Sequence, residues 1–398
     1  MACKIVIGTQ RAGSAKIRVA FLIRSLEFGG AERQLVALVT RMDRQRFEPL
    51  ALCFYPGGEF EQEIKEAGVP LMALGKAGRW DWLRFFIRLV RKLKEIRPHI
   101  VHGYLETPNI LSVLARPFLP GVRVVFGLRA SDMELQHYPW AIRLPYHIQP
   151  RLARWADFCI ANSDAGKAFW RSKGIPEEKI AVILNGIDTQ KFSPNRSGAA
   201  LLRRRWGIPV GSQVVGAVGR LDPQKGCEVF IEAASILLLE KPEVYLIWVG
   251  DGSPAYREEL FRLARSFGIS ERLIWLGARP DVVDVYQTLD VFCSPSSYGE
   301  GFPNTLAEAM ACGLPCVATA VGDAPLILGD AGFIVRRRDP QALAAALQRL
   351  LDLPPEERRQ MGARSRARIV ENYSMEKMVT ATQDALAALV GGSICLAG

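Results

Sequence analysis

A chain of 398 residues, 49% hydrophobic and 23% charged, is long enough for two domains with separate cores and reads as an ordinary globular protein. No apolar run approaches the roughly 18 to 20 residues that span a bilayer, and Lys4-Ile5-Val6-Ile7-Gly8 is too short for a signal-peptide core, so the expected location is the cytoplasm. The net charge of +10 is placed unevenly: residues 1–190 hold 28 Lys and Arg against 18 Asp and Glu, whereas residues 191–398 hold 23 of each. A basic first half attracts nucleic acid, anionic lipid or an anionic substrate.

In chain order, Ile17–Ile23 reads as a buried first strand, and Phe28-Gly29-Gly30-Ala31-Glu32 turns it into a helix expected to start near Arg33. Strand-like runs follow at residues 49–55, 100–102, 122–126 and Phe158–Ala161, separated by helical patterns at 82–97 and 140–155. Short apolar strands alternating with helices predict a parallel, doubly wound α/β sheet. The pattern pauses near Ile183-Leu184-Asn185-Gly186-Ile187-Asp188, and the Ser-, Pro- and Gly-rich residues 193–198 read as a linker. The same architecture restarts with Val214–Val218, the loop Gly219-Arg220-Leu221-Asp222, a helix over 227–239 and a strand over 244–249. Two doubly wound, Rossmann-like domains in tandem are expected, at 1–190 and 191–372, followed by an amphipathic helix within 373–398.

The densest chemical signal is Glu300-Gly301-Phe302-Pro303-Asn304-Thr305-Leu306-Ala307-Glu308, where two carboxylates bracket a loop and the start of an Ala-rich helix. A helix N-terminus offers unpaired N–H groups to a phosphate, and carboxylates accept hydrogen bonds from sugar hydroxyls. The combination describes a nucleotide-sugar. Upstream, Gly219-Arg220-Leu221-Asp222-Pro223-Gln224-Lys225-Gly226 carries an Arg and a Lys able to reach one diphosphate; a solvated loop would look the same. Gly29 and Gly30 lack the GxGxxG spacing but permit close backbone approach, as a tight turn also would.

Residues 82–94 mix apolar side chains with Arg84, Arg88, Arg91, Lys92 and Lys94, which suits a membrane-surface helix but is read in preference as a crossover helix packed on a sheet. Of four histidines, only His102 sits at the C-terminal end of an expected strand, where doubly wound folds place ligands. No Ser-His-Asp or HExxH arrangement is present. Cysteines at 3, 53, 159, 227, 293, 312, 316 and 395 form neither a disulfide framework nor a CxxC pair, so buried free thiols are expected. No metal is expected at Cys312 and Cys316, which have no His nearby.

These motifs, in this order and over nearly the whole chain, resemble the retaining nucleotide-sugar glycosyltransferases of family 4, with the two-domain GT-B fold. The resemblance rests on Glu300 and Glu308, on Gly219-Arg220 with Lys225-Gly226, on Asn185-Gly186-Ile187-Asp188 and on Gly29-Gly30-Ala31-Glu32. It implies two domains facing a central cleft, with the last helix crossing back to the first. Glu300 would meet donor sugar hydroxyls, Gly301, Phe302, Pro303, Asn304, Thr305 and Leu306 would line sugar and phosphate, and Glu308 would accept from the ribose. Arg220 and Lys225 would neutralise the diphosphate leaving group, beside Gly219, and Arg279 falls where relatives contact the base. Many relatives carry a His that contacts the donor sugar after the strand written here Val124-Val125-Phe126-Gly127-Leu128, whereas this chain has Arg129, then Ser131 and Asp132. Arg129 cannot act as a base but could bind a phosphate or orient Asp132.

The expected activity is retaining transfer of a hexose-like sugar from a UDP- or GDP-type donor to an acceptor hydroxyl, with no cofactor and no required metal. The acceptor would be a glycan, lipid-linked or other hydroxyl compound in cell-surface polysaccharide, lipopolysaccharide or glycolipid synthesis. The basic first half, which is the acceptor side in this fold, adds an anionic surface of the inner membrane as a partner, with peripheral attachment; no nucleic-acid-binding motif appears. The competing readings are a nucleotide-sugar epimerase or hydrolase on the same fold, and a catalytically silent binding module.

Overall fold

The computed structural model describes residues 16–78 and 80–391; Lys4 to Gly8, Cys3 and Cys395 lie outside them. The chain divides into two compact units, one running to Gly186 and resuming at Met375, the other Ile187–Ser374.

The first unit is a seven-stranded parallel sheet of β1 (Ile17–Ile23), β2 (Phe47–Cys53), β3 (Leu71–Ala73), β4 (Ile100–Tyr104), β5 (Arg123–Leu128), β6 (Phe158–Ala161) and β7 (Ile180–Val182), in the order β3-β2-β1-β4-β5-β6-β7. The period of two in β1 sends Val19, Phe21 and Ile23 to one core and Ala20 and Leu22 to another. A strand buried on both faces needs an unbroken apolar run, which is what β1 carries. The helix Trp82–Ile96 covers one face with Phe85, Leu89 and Leu93 at helical spacing, as a crossover helix does. Its Leu83 and Ile87 stay 73% and 48% exposed.

The other face is covered by the helices Gly30–Arg41 and Met375–Gly391. The last helix is tied there by Asp43 N–H donating to Gln383 at 2.6 Å and by Arg46 against Asp384 at 3.6 Å. The first helix begins at Gly30 and not near Arg33, because Gly29 in extended conformation is its cap and its carbonyl accepts from Arg33.

The second unit holds β8 (Val214–Val218), β9 (Tyr245–Val249), β10 (Leu273–Trp275), β11 (Val291–Ser294), β12 (Cys316–Thr319) and β13 (Gly332–Val335), all parallel, in the order β10-β9-β8-β11-β12-β13. The helices Cys227–Glu240 and Pro340–Asp352 pack on one face against Val215, Ala217 and Trp248. Residues 187–198 belong to this unit: Arg196 and Arg203 both reach Asp290, and Arg366 donates to the carbonyls of Thr189 and Phe192. A stretch whose composition reads as a linker is thus held down by Arg196 within it and by Arg366 outside it.

Candidate functional site

Each sheet reverses its strand order once, between β1 and β4 and between β8 and β11. At such a switch point the loops leaving the two central strands diverge and open a crevice at the strand C-termini, where doubly wound folds take ligands.

In the second unit the loop after β8 carries Gly219, Arg220 and Lys225, and the loop after β11 carries Glu300. Gly226 fixes how closely they meet. Its φ is +67°, and a Cβ there would lie 2.0 Å from the Pro295 carbonyl oxygen, so a side chain is excluded. Ser297 N–H donates to the Gln224 carbonyl at 2.8 Å, joining the loops again. The result is an ion pair: Lys225 Nζ lies 2.5 Å from Glu300 Oε1, which also accepts from Ser296 Oγ at 2.8 Å. The stem of Lys225 runs over Gly219, where a Cβ would be 3.3 Å from Cγ and Cδ. Arg220, in contrast, is an exposed side chain at 4.0 Å from Asp222.

Gly322, with φ +56°, brings the loop after β12 onto the Glu300-Gly301 backbone, where a Cβ would sit 2.2 Å from the Glu300 carbonyl oxygen. Asp323 N–H donates to the Gly301 carbonyl at 3.0 Å. Held from both sides, Glu300 to Pro303 leads into the helix Asn304–Ala311, whose cap is Pro303 with no side-chain hydrogen bond. The first intrahelical bond in this turn runs from Ala307 N–H to the Pro303 carbonyl, so the amides of Asn304, Thr305 and Leu306 precede the ladder. Phe302 is buried with its ring edge-on to Tyr373 at 5.7 Å. Glu308, one turn inside, is 2% exposed and accepts from Tyr286 Oη at 3.0 Å.

Arg279 follows β10 and is engaged by Asp281 through Nε at 2.8 Å and Nη2 at 2.5 Å. That hydrogen bonding raises the Arg279 pKa and holds the Asp281 carboxyl below its ordinary value. Its guanidinium also lies 5.9 Å from the centre of the Trp206 ring.

At the first unit's switch point, Gly29 and Gly30 follow β1, and His102 lies in β4. His102 is fully buried, between Phe21 at 5.4 Å and Tyr104 at 4.9 Å, and neither ring nitrogen has a hydrogen-bond partner. Burial, then the charge of Arg129, holds it neutral by pushing its pKa well below the usual value. Arg129 lies 4.3 Å over the Tyr104 ring, donates through Nη1 to Asn185 Oδ1 at 3.4 Å, and has a buried Nε without a partner. Asp132 is exposed, with φ +35°.

Sequence reasoning missed Ser296, Tyr286 and Tyr104, which buttress Glu300, Glu308 and Arg129. Tyr104 alone had a signal, two residues past His102 at the same strand end. The other two act from outside the motifs they support. Leu105 was missed as well: at φ 71° and ψ 173° it occupies a region that is essentially glycine's, right where β4 ends.

Residues 28–191 match the family described as Glycosyltransferase Family 4, and residues 212–353 match Glycosyl transferases group 1. The D-inositol 3-phosphate glycosyltransferase of Corynebacterium urealyticum is 39% identical over 208 residues, 49% of this chain and 49% of that relative. The chain spans about half the length of such curated relatives. EpsF of Bacillus subtilis is 27% identical over 310 residues, 76% of this chain and 79% of its own. Among solved structures, Anabaena HepE in complex with UDP-glucose superposes with a TM-score of 0.83 at 24% identity, covering 94% of this chain and all of that one. Two parallel Rossmann-like sheets, two matched regions that together take in most of the chain, and that shared architecture lead to one statement: the chain belongs to the family 4 glycosyltransferases, with the GT-B fold.

Proposed function

We propose that the chain moves a sugar from a nucleotide-diphosphate donor to an acceptor hydroxyl with retention of configuration. The observation that carries this reading is the Lys225–Glu300 pair at the β8/β11 switch point, with Arg220 on the same loop and the helix Asn304–Ala311 starting just after Glu300. Lys225 has three N–H donors and gives one to Glu300. The others, with the Arg220 guanidinium, meet the diphosphate as the bond from the anomeric carbon to phosphate oxygen breaks and that oxygen gains charge. The acceptor oxygen attacks the same face, and its proton passes to the departing phosphate. The cations thereby do the work a divalent ion does in other transferases. Glu300 takes donor-sugar hydroxyls and Glu308 the ribose, while Arg279, already held by Asp281, borders the base. HepE, crystallised with UDP-glucose, makes uridine the first base to test.

The acceptor is assigned to the first unit and to cell-surface glycan, lipopolysaccharide or glycolipid synthesis. Among the described residues no helix is long and apolar enough to cross a membrane. The helix Trp82–Ile96, however, leaves Leu83 and Ile87 exposed beside exposed Arg84 and Arg91, which suits peripheral contact with anionic lipid. Co-sedimentation with anionic vesicles at low salt tests that contact; no binding, or binding unaffected by Leu83→Ser with Ile87→Ser, removes it. A thermal-shift screen of nucleotides and nucleotide-sugars tests the donor, since a ligand that binds only the folded chain raises its apparent stability. A UDP- or GDP-dependent shift that Lys225→Met abolishes is expected. Equal shifts in Lys225→Met and Arg220→Met variants would overturn the site.

A further inference from the structure

We infer that the first unit holds an oxyanion site of its own at the β1/β4 switch point, with Arg129 as its cation, and that it takes a phosphate or carboxylate borne by the acceptor. The word acceptor rests on the transfer proposed above; the anion site does not. Half-buried guanidinium groups elsewhere in this chain are met by a carboxylate or by backbone carbonyls: Arg203 lies 2.8 Å from Asp290, and Arg368 donates through Nε to the Ile327 carbonyl at 2.8 Å and through Nη2 to that of Leu326. Arg129 has instead an aromatic face at 4.3 Å and an amide oxygen at 3.4 Å, and among the described residues no carboxylate pairs with it.

The surroundings contribute further polar atoms, and Glu106, the buried acid just after β4, is hydrogen-bonded to Tyr146 and pushed toward its neutral form by burial. Nε of Arg129 and both ring nitrogens of His102, which in the neutral ring are one donor and one acceptor, are buried without partners. One further buried donor, Nε2 of Gln149, is also unpartnered; that side chain is anchored through Oε1 by Asn109, which in turn bonds both backbone groups of Gly127. These unpartnered atoms belong to β4, to the residue just after β5 and to the side chain that braces Gly127 of β5 through Asn109, and the chain leaves β4 through Leu105 in a conformation proper to glycine. Strain of this kind persists where surrounding structure imposes it and clusters at ligand sites. A guanidinium fork offers two parallel N–H groups, a match to two oxygens of one phosphate or carboxylate. A neutral hydroxyl would leave the charge uncompensated.

The test is calorimetric titration of the full chain at fixed ionic strength with glucose 6-phosphate, glucuronate and glucose, each with and without saturating UDP. Either anionic sugar is expected to bind at least about tenfold more tightly than glucose, with UDP present as well as absent. Arg129→Gln should erase that preference while leaving UDP affinity within about twofold. Equal binding of charged and neutral sugars by the unaltered chain overturns the inference, as does a preference that survives Arg129→Gln. A preference that disappears once UDP is bound assigns the anion to the donor loop, which also overturns it. If Arg129→Gln does not fold, Arg129→Lys decides: a point charge without the fork should lower the preference, and an unchanged preference counts against the site. Absence of binding of both UDP and GDP would defeat the proposed transfer, and the nucleotide-free titration would still read Arg129 by itself.

Discussion

The two switch points answer one architecture with opposite electrostatics. After β8 and β11 the cation and the acid are already joined, Lys225 on Glu300, with the pair largely shielded from water. After β4 and β5 the cation faces a ring and an amide, and the acid is missing. A closed pair discriminates: a ligand gains there only by offering an anion to Lys225 and hydroxyls to Glu300 together, as a diphosphate-linked sugar does. An uncompensated cation selects on charge alone and tolerates variety in the rest of the ligand. On the transfer and the anion site proposed above, this chain would recognise its donor strictly and leave acceptor recognition free to change.

The comparison breaks most visibly at Lys225. Removing one preorganised donor aimed at developing charge lowers turnover by roughly 10²- to 10³-fold, and Lys225→Met is expected to fall in that range in a steady-state assay of UDP or GDP release. Wild-type turnover in that variant would make the pair a structural clamp. Glu300→Gln should cost at least about tenfold in kcat/KM, because an amide cannot replace the anion that holds Lys225 and accepts hydroxyls, a charge-assisted contact of about 1.5–3 kcal/mol. Arg220→Met should cost less than Lys225→Met, since an exposed guanidinium works against solvent screening.

A smaller effect is expected one turn into the helix. Tyr286 donates to Glu308, and both are almost wholly buried. Tyr286→Phe deletes the donor and leaves the carboxylate, so stability should drop by about 1 kcal/mol in urea unfolding, with nucleotide affinity weakened in parallel. Lost stability with unchanged nucleotide affinity would remove Glu308 from the ribose and leave it a packing residue.

How much of this was legible follows from range. Val19 to Ile23, the Glu300–Glu308 spacing and the glycines at 226 and 29–30 are local patterns, and local patterns report strands, helix starts and turns. The three-residue strands β3, β7 and β10 are too short for a period to show. Residues 193–198 look like a linker in composition, yet Arg196 reaches Asp290, 94 positions away, which no window could reveal. The same holds for the site. Lys225 and Glu300 were each legible as candidates, but their union depends on a missing side chain at Gly226 facing Pro295. His102 was legible by strand position; its lack of any partner was not.

The finest probe of the contrast is therefore pH, read at His102. Its native pKa lies well below the ordinary value near 6.5 because burial disfavours the imidazolium, with Arg129 adding repulsion. The unfolded chain keeps the ordinary value, so below about pH 6.5 it binds a proton that the native chain refuses, and stability falls as pH falls, by at most about 1.4 kcal/mol per pH unit. Above that pH both states are neutral at this position and the contribution is constant. Chains that differ at one position share every other titrating group, so the effect is read as a difference between them over about pH 5 to 6.5, below the ordinary histidine value. Urea unfolding of His102→Met across that window should show a flatter acid limb than the unaltered chain. Arg129→Gln should flatten it less, since repulsion is the lesser cause and burial remains. Identical acid limbs in all three chains would mean that His102 is wetter than its surroundings allow, and the case for a closed, cation-only switch point in the first unit would fail with it.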